Sequence, residues 1–136
     1  MTDTAADLSP KVLQEEAIGL VPIYVRLGEK RYKDWQELTP DALYQAMRAG
    51  AAPVTEPPEV EDFVGVYERY LQVYDRLLSV HVSGELSQTV QRAREAALRV
   101  APNRIRVVDS AMVSAGLGAM VLRAATTPLA ATRDDV

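Results

Sequence analysis

Two apolar periods alternate along this chain, short runs of branched residues and longer stretches with one apolar position per helical turn. Proline, glycine and hydroxyl residues mark the boundaries between them. Ser9-Pro10 reads as an N-cap followed by proline in the first helical position, opening a helix through Ala17 that Gly19 stops. Leu20 to Leu27 is strand-like, and Pro22 removes a ladder donor, which makes it an edge strand or a strand start. Gly28-Glu29 turns the chain into Lys30 to Lys33, the charged second arm of a hairpin. Thr39-Pro40 repeats the cap, with Asp41 in the first turn of a helix that ends at Gly50.

From Ala51 to Pro58 three prolines forbid a helix and predict an extended loop, a candidate ligand-facing segment. Phe63, Tyr67, Tyr70, Leu71 and Tyr74 then share one helix face, and such a stripe most simply packs into a core. A strand from Arg76 to Val82, a helix from Leu86 to Val100, a strand from Ile105 to Val108 and a helix from Met112 to Ala125 follow. Thr126 to Val136 lacks periodicity and predicts a frayed tail, leaving residues 1–125 as one domain. Helices alternating with short apolar strands predict a three-layer α/β domain with a mostly parallel sheet flanked by helices. No apolar strand opens the chain, so the usual first strand of such a fold is expected to be missing.

Composition narrows the chemistry. At 136 residues the chain suits a single core. With 15 Lys and Arg against 19 Asp and Glu, its surface should repel nucleic-acid backbones and anionic membranes. Without cysteine, and with a single histidine, thiolate nucleophiles, disulfides and zinc sites are not expected. The longest apolar stretch, Ala115 to Leu122, is far short of the roughly 20 residues of a membrane span. No signal run opens the sequence, and a soluble cytoplasmic protein without membrane insertion is the expectation.

Most of the candidate chemistry lies where the strand at Arg76–Val82 passes into the next helix. Alternation puts Ser79, His81 and Ser83 on one face and Val80 and Val82 on the other. His81 is open to three readings: a satisfied, partly buried imidazole, a group that orients a bound carboxylate, or the base for a Ser83 nucleophile in a small esterase. The sequence shows neither a third orienting group nor an oxyanion site for the esterase, so no catalytic residue is assigned. Ser83-Gly84-Glu85-Leu86-Ser87-Gln88-Thr89 either caps the helix or offers hydroxyls and amides to a carboxylate or phosphate. It lacks both the lysine of a phosphate loop and the glycine spacing of a dinucleotide fold. Ala115-Gly116-Leu117-Gly118 sits among apolar residues and reads as close helix packing.

Four segments in order resemble one family. Thr2-Asp3-Thr4-Ala5-Ala6-Asp7-Leu8, with Val21-Pro22-Ile23-Tyr24-Val25 behind it, is similar to the opening of DegV proteins. Ala52-Pro53-Val54-Thr55-Glu56-Pro57-Pro58 resembles their Thr-Ser-Gln-Pro loop. Ser79 to Thr89 resembles their Ser-x-His-x-Ser-Ser-x-Leu-Ser-Gly-Thr segment, and Arg106 to Ser110 their Val-Val-Asp-Ser. Gly84 stands at the second serine, Gln88 at the later glycine, and Glu56-Pro57 at the Ser-Gln pair.

The resemblance implies a DegV-like N-terminal domain that binds a long-chain fatty acid, with no other cofactor, and in several bacteria hands it to a fatty acid kinase. Carried over by position, Thr55 and Ser83 would be head-group hydroxyls and Gly84 would allow backbone approach, with His81, Ser87 and Thr89 behind them. Glu56 suits an anionic head group only if its carboxylate turns away or is protonated. Family members carry a second α/β domain that closes over the ligand. The alternative is a truncated or degenerate interaction domain that no longer binds lipid and forms oligomers through its incomplete sheet.

Overall fold

The computed structural model describes residues 1–127. Its elements run β1 (Thr2–Asp3), α1 (Pro10–Glu15), β2 (Leu20–Val21), β3 (Tyr24–Leu27), β4 (Lys30–Lys33) and α2 (Pro40–Arg48). Then come β5 (Val54–Glu56), α3 (Val60–Leu71), β6 (Leu77–His81), α4 (Thr89–Val100), β7 (Ile105–Asp109) and α5 (Ala115–Thr126). Both proline-led helices start as their caps dictate: Ser9 Oγ accepts from Val12 N, and Thr39 Oγ1 from Ala42 N, each at 3.3 Å.

The strands form a parallel layer and a separate antiparallel sheet. In the layer β1 pairs with β2, and β6 with β7. Met1 joins the two pairs, its nitrogen donating to Leu78 O at 2.7 Å and its carbonyl accepting from Val80 N at 2.9 Å. The central position of the layer is thus held by Met1 to Asp3, where no strand was expected. Two residues are too short to show a period of their own, and Thr2 and Asp3 are polar although fully buried.

Helices cover both faces of this layer. Phe63, Tyr67, Leu77, Ala93, Ala96, Ala97 and Ile105 pack α3 and α4 onto one face. Ala6, Leu13, Ile18, Val80, Val82, Leu117 and Val121 pack α1 and α5 onto the other. The alternation read from Ser79 to Val82 therefore has a physical result, since Val80 and Val82 face α5 while Ser79 and His81 face Tyr67 and Phe63. Of the aromatic stripe, Phe63 and Tyr67 are fully buried, whereas Tyr74 lies beyond α3 and is exposed. Gly118 packs closely as expected: a Cβ there would come within 2.7 Å of Ala6 O.

Pro22 breaks the expected Leu20–Leu27 strand in two, and after it the chain leaves the parallel layer for the antiparallel sheet β4-β3-β5. The hairpin forms as read, Leu27 opposite Lys30 with Gly28 at φ +60°. Within the segment expected to be a loop, Val54 to Glu56 pairs with β3 as a third strand. Its prolines flank these three residues rather than interrupt them, so their amides stay free to pair. The helix expected from Leu86 begins at Thr89 instead: Ser83 O accepts from Leu86 N and Ser87 N, a turn that delays it and leaves Leu86 exposed. The last helix likewise starts at Ala115, after a Ser110–Met112 turn. Thr126 still belongs to α5, and the rest of the expected tail from residue 128 lies outside the described residues.

Candidate functional site

A cleft of about 660 Å³ opens where the carboxyl ends of β6 and β7 face β5, the position at which open α/β sheets hold ligands. Thr55 comes from the antiparallel sheet, and Gly84, Ser87 and Gln88 from the loop between β6 and α4. Ala5, Ile23, Val82, Leu86 and Val113 give it apolar walls. A smaller groove of about 330 Å³ at the amino end of β6 carries none of the candidate residues.

The cleft brings together Thr55, Gly84 and Ser87 and leaves the other three candidates behind its wall. Ser83 is buried and its Oγ accepts from Glu85 N at 3.2 Å, so this hydroxyl holds the loop in shape. Ser87 Oγ accepts from Thr89 N and lies 2.8 Å from the buried Thr89 Oγ1, which starts α4. Gly84 N donates to both carboxylate oxygens of Asp109 at 3.1 Å, and Asp109 Oδ1 also accepts from Ala111 N. A Cβ at Gly84 would come within 2.7 Å of Asp109 Oδ2, so a larger residue there would make the Asp109 carboxylate shift. Asp109 at the end of β7 thus ties the loop at Gly84 to the loop at Ala111.

Glu56 stands in the cleft wall with its charge engaged elsewhere. Register puts Glu56 on the face of β5 shared with Arg26 and Arg31, whose Nε atoms donate to its two oxygens at 2.9 and 2.8 Å. The Arg26 hydrogen bond, with Arg31 beside it, holds this carboxyl below its ordinary range, so it stays ionised and paired. Its charge in the cleft wall is thus balanced by two guanidinium groups.

His81 is satisfied and fully buried. Its Nδ1 lies 2.9 Å from Asp3 Oδ2 and its Nε2 2.6 Å from Ser79 Oγ, which also accepts from Tyr67 O–H at 3.0 Å. Asp3 further accepts from Val82 N and Ala5 N, each at 3.0 Å. Nδ1 faces the Asp3 carboxylate and Nε2 the Ser79 hydroxyl, so one continuous polar chain runs from Tyr67 through Ser79 and His81 to Asp3. The order Ser79, His81, Asp3 is that of a hydrolase triad, but Ser79 is fully buried beneath Tyr67 and meets no substrate. Ser83, the nucleophile considered from sequence, is not among the partners of His81.

Besides Asp109, sequence reasoning missed two participants. Asp3 is 78 positions from His81 and becomes its partner only once β1 docks beside β6. Arg92, one turn into α4, lines the cleft while its Nη1 donates to Pro58 O at 3.0 Å and Glu59 Oε2 at 2.7 Å. Its place one turn after the hydroxyl loop was the available signal. Among the described residues there is no cluster of three His, Asp or Glu able to hold a metal, and no helix is long and apolar enough to cross a membrane.

Comparisons with known proteins bear on the family and the fold. A DegV domain-containing protein of Deinococcus radiodurans is 40% identical over 126 residues, which are 92% of this chain and 44% of that relative. A structure described as fatty acid binding of a DegV family protein from Thermus thermophilus superposes with a TM-score of 0.84 at 43% identity, covering 96% of this chain and 48% of that one. Another, described as DegV, a fatty acid binding protein from Bacillus subtilis, gives 0.83 at 28% identity, covering 91% of this chain and 44% of that one. The chain therefore spans a little under half the length of these three proteins. Since the family model described as "Uncharacterised protein, DegV family" matches residues 1–130, nearly the whole sequence, the chain belongs to the DegV family.

Proposed function

We propose that this chain binds a long-chain fatty acid, with the carboxylate near Thr55, Ser83 and Gly84 and the acyl chain leading away along the apolar wall. The observation that carries this reading is the cleft, which sets the exposed Thr55 opposite the Gly84–Gln88 loop at the strand ends. Hydroxyls beside an ordered backbone suit a carboxylate, and each methylene buried contributes about 0.8 kcal/mol, so the tail dominates affinity. Thr55 and Ser87 line the cleft, Ser87 with its hydroxyl paired to Thr89, while Ser83 acts by holding the loop. Presentation of the bound acid to a fatty acid kinase, which phosphorylates the carboxylate, is the finer part of the reading.

The test is mass spectrometry of ligand extracted from the purified chain after incubation with palmitate. Thr55→Ala combined with Ser83→Ala should abolish retention, and undiminished retention sinks the assigned site. A second reading, an interaction domain that pairs with another chain, is favoured by one observation: Leu86, Met112 and Val113 stand exposed beside the cleft. Light scattering at several concentrations separates the two, because a lipid-loaded monomer contradicts the second.

A further inference from the structure

The antiparallel sheet that carries Thr55 has little apolar hold on the rest of the molecule. Among the described residues its buried apolar side chains are Tyr24 and Val25, and neither belongs to the two clusters around the parallel layer. Its attachments are polar: Ile23 N donates to Thr4 Oγ1 at 3.2 Å, and Tyr24 O–H to the Asp62 carboxylate at 2.9 and 3.0 Å. Lys33 Nζ on β4 lies 3.8 Å from the same Asp62 carboxylate, and beside it stands a run of five alternating charges. Arg26 on β3 and Arg31 on β4 both hold Glu56 on β5; Arg31 Nη2 also donates to Glu59 Oε1 at 2.8 Å, and Arg92 Nη1 on α4 to Glu59 Oε2 at 2.7 Å. Arg31 itself is stacked 3.5 Å over the Tyr24 ring, which fixes its guanidinium.

Arg92 ends this run, and it does more than pair a charge. The same Nη1 donates to Pro58 O at 3.0 Å and faces Pro57 O at 3.4 Å, so one nitrogen grips the backbone that immediately follows β5. Those carbonyls belong to proline-stiffened chain, so pulling on Pro57–Pro58 moves Thr55 with it. At its other end Arg92 is rooted in the first turn of α4, the helix that the Ser83–Thr89 loop leads into. The two walls of the cleft are therefore strapped together by one side chain.

We propose that Arg92 is a positioning residue that sets the distance between Thr55 and the Gly84–Gln88 loop, holding the Thr55 wall in place through Pro57, Pro58 and Glu59. Its effect on ligand retention rests on the fatty-acid reading above, but the strap itself does not. Charge-assisted bonds of this kind are partly exposed, with 27% of the Arg92 side chain and 48% of the Glu59 side chain accessible, so the strap should also respond to salt.

Amide hydrogen exchange on the chain without added lipid tests the strap. In Arg92→Met, exchange across Val54–Glu56 should quicken about tenfold, as expected for losing a charge-assisted bond, while Leu77–His81 is unaltered. Arg92→Lys, which keeps a cationic nitrogen able to reach the same acceptors, should return exchange to within about threefold of the parent chain. Raising salt to about 1 M should loosen Val54–Glu56 more in the parent than in Arg92→Met, where only the pairs of Arg26 and Arg31 with Glu56 and Glu59 remain to be screened. Unchanged exchange in Arg92→Met, equal loosening in the Met and Lys variants, or loosening that spreads to Leu77–His81 overturns the proposal. Palmitate retention is measured in parallel and should fall with Met and recover with Lys. If the parent retains no palmitate, the fatty-acid reading fails while the exchange data still decide the strap.

Discussion

His81 and Ser83 sit two residues apart on one run of chain, yet one belongs to a sealed polar chain and the other to the loop of an open cleft. In the sealed region Tyr67, Ser79, His81 and Asp3 pair with one another, with no solvent between them. At the cleft the buried hydroxyls of Ser83 and Thr89 are likewise used up in shaping the loop, but Thr55 is exposed and Gln88 and Arg92 line the opening. The difference teaches where to look for function on this strand end. Closed hydrogen-bond accounting marks the part that holds the layer together, and donors left at an opening mark the part that can meet a ligand.

The contrast breaks most readily at Asp3. Asp3→Ala leaves His81 Nδ1 and the Val82 amide without their partner inside the core, and should lower the unfolding free energy by about 3–5 kcal/mol in urea titration. An unmoved midpoint would mean the buried chain does not hold β1 against β6. Tyr67→Phe removes one end of the same chain and should cost about 1 kcal/mol at neutral pH. Burial pushes the Tyr67 phenol up to about 12 from an ordinary 10.0. The neutral phenol therefore contributes in full below the unfolded value and loses its contribution as pH rises through about 12. Base-induced unfolding in that window should be shallower in Tyr67→Phe, though not abolished, because burial and Asp62 raise Tyr24 to about 12 as well. Smallest in stability is Thr55→Val, expected to change unfolding by under about 0.5 kcal/mol while sharply reducing palmitate retention. A stability loss as large as that of Asp3→Ala would erase the distinction between the two regions.

Much of the architecture was legible because it rests on periods and caps. The α3 face, the two proline-led helices, the hairpin and the side-chain alternation of β6 all follow from spacing within a few residues. The Ala51–Pro58 and Ser83–Thr89 segments stand out as candidate ligand-facing segments through their prolines and hydroxyls, and Thr55 itself only through the family resemblance. What escaped was pairing between distant short pieces. Val54–Glu56 reads as loop because Pro53, Pro57 and Pro58 crowd around it while sparing its own amides, and Thr2–Asp3 is too short and too polar to announce a strand.

Local composition by itself determined most of the helices and the longer strands, which faces are apolar and where hydroxyls gather at a strand end, since these depend on neighbours within a turn or a pleat. Only the tertiary structure decided that Asp3 completes the His81 chain, that Asp109 holds Gly84, that Glu56 turns to Arg26 and Arg31, and that Arg92 reaches Pro58. Each of these is a polar contact between elements at least 25 residues apart. Such partners carry no local period, and they meet only after burial of apolar faces has brought the strands and helices into place.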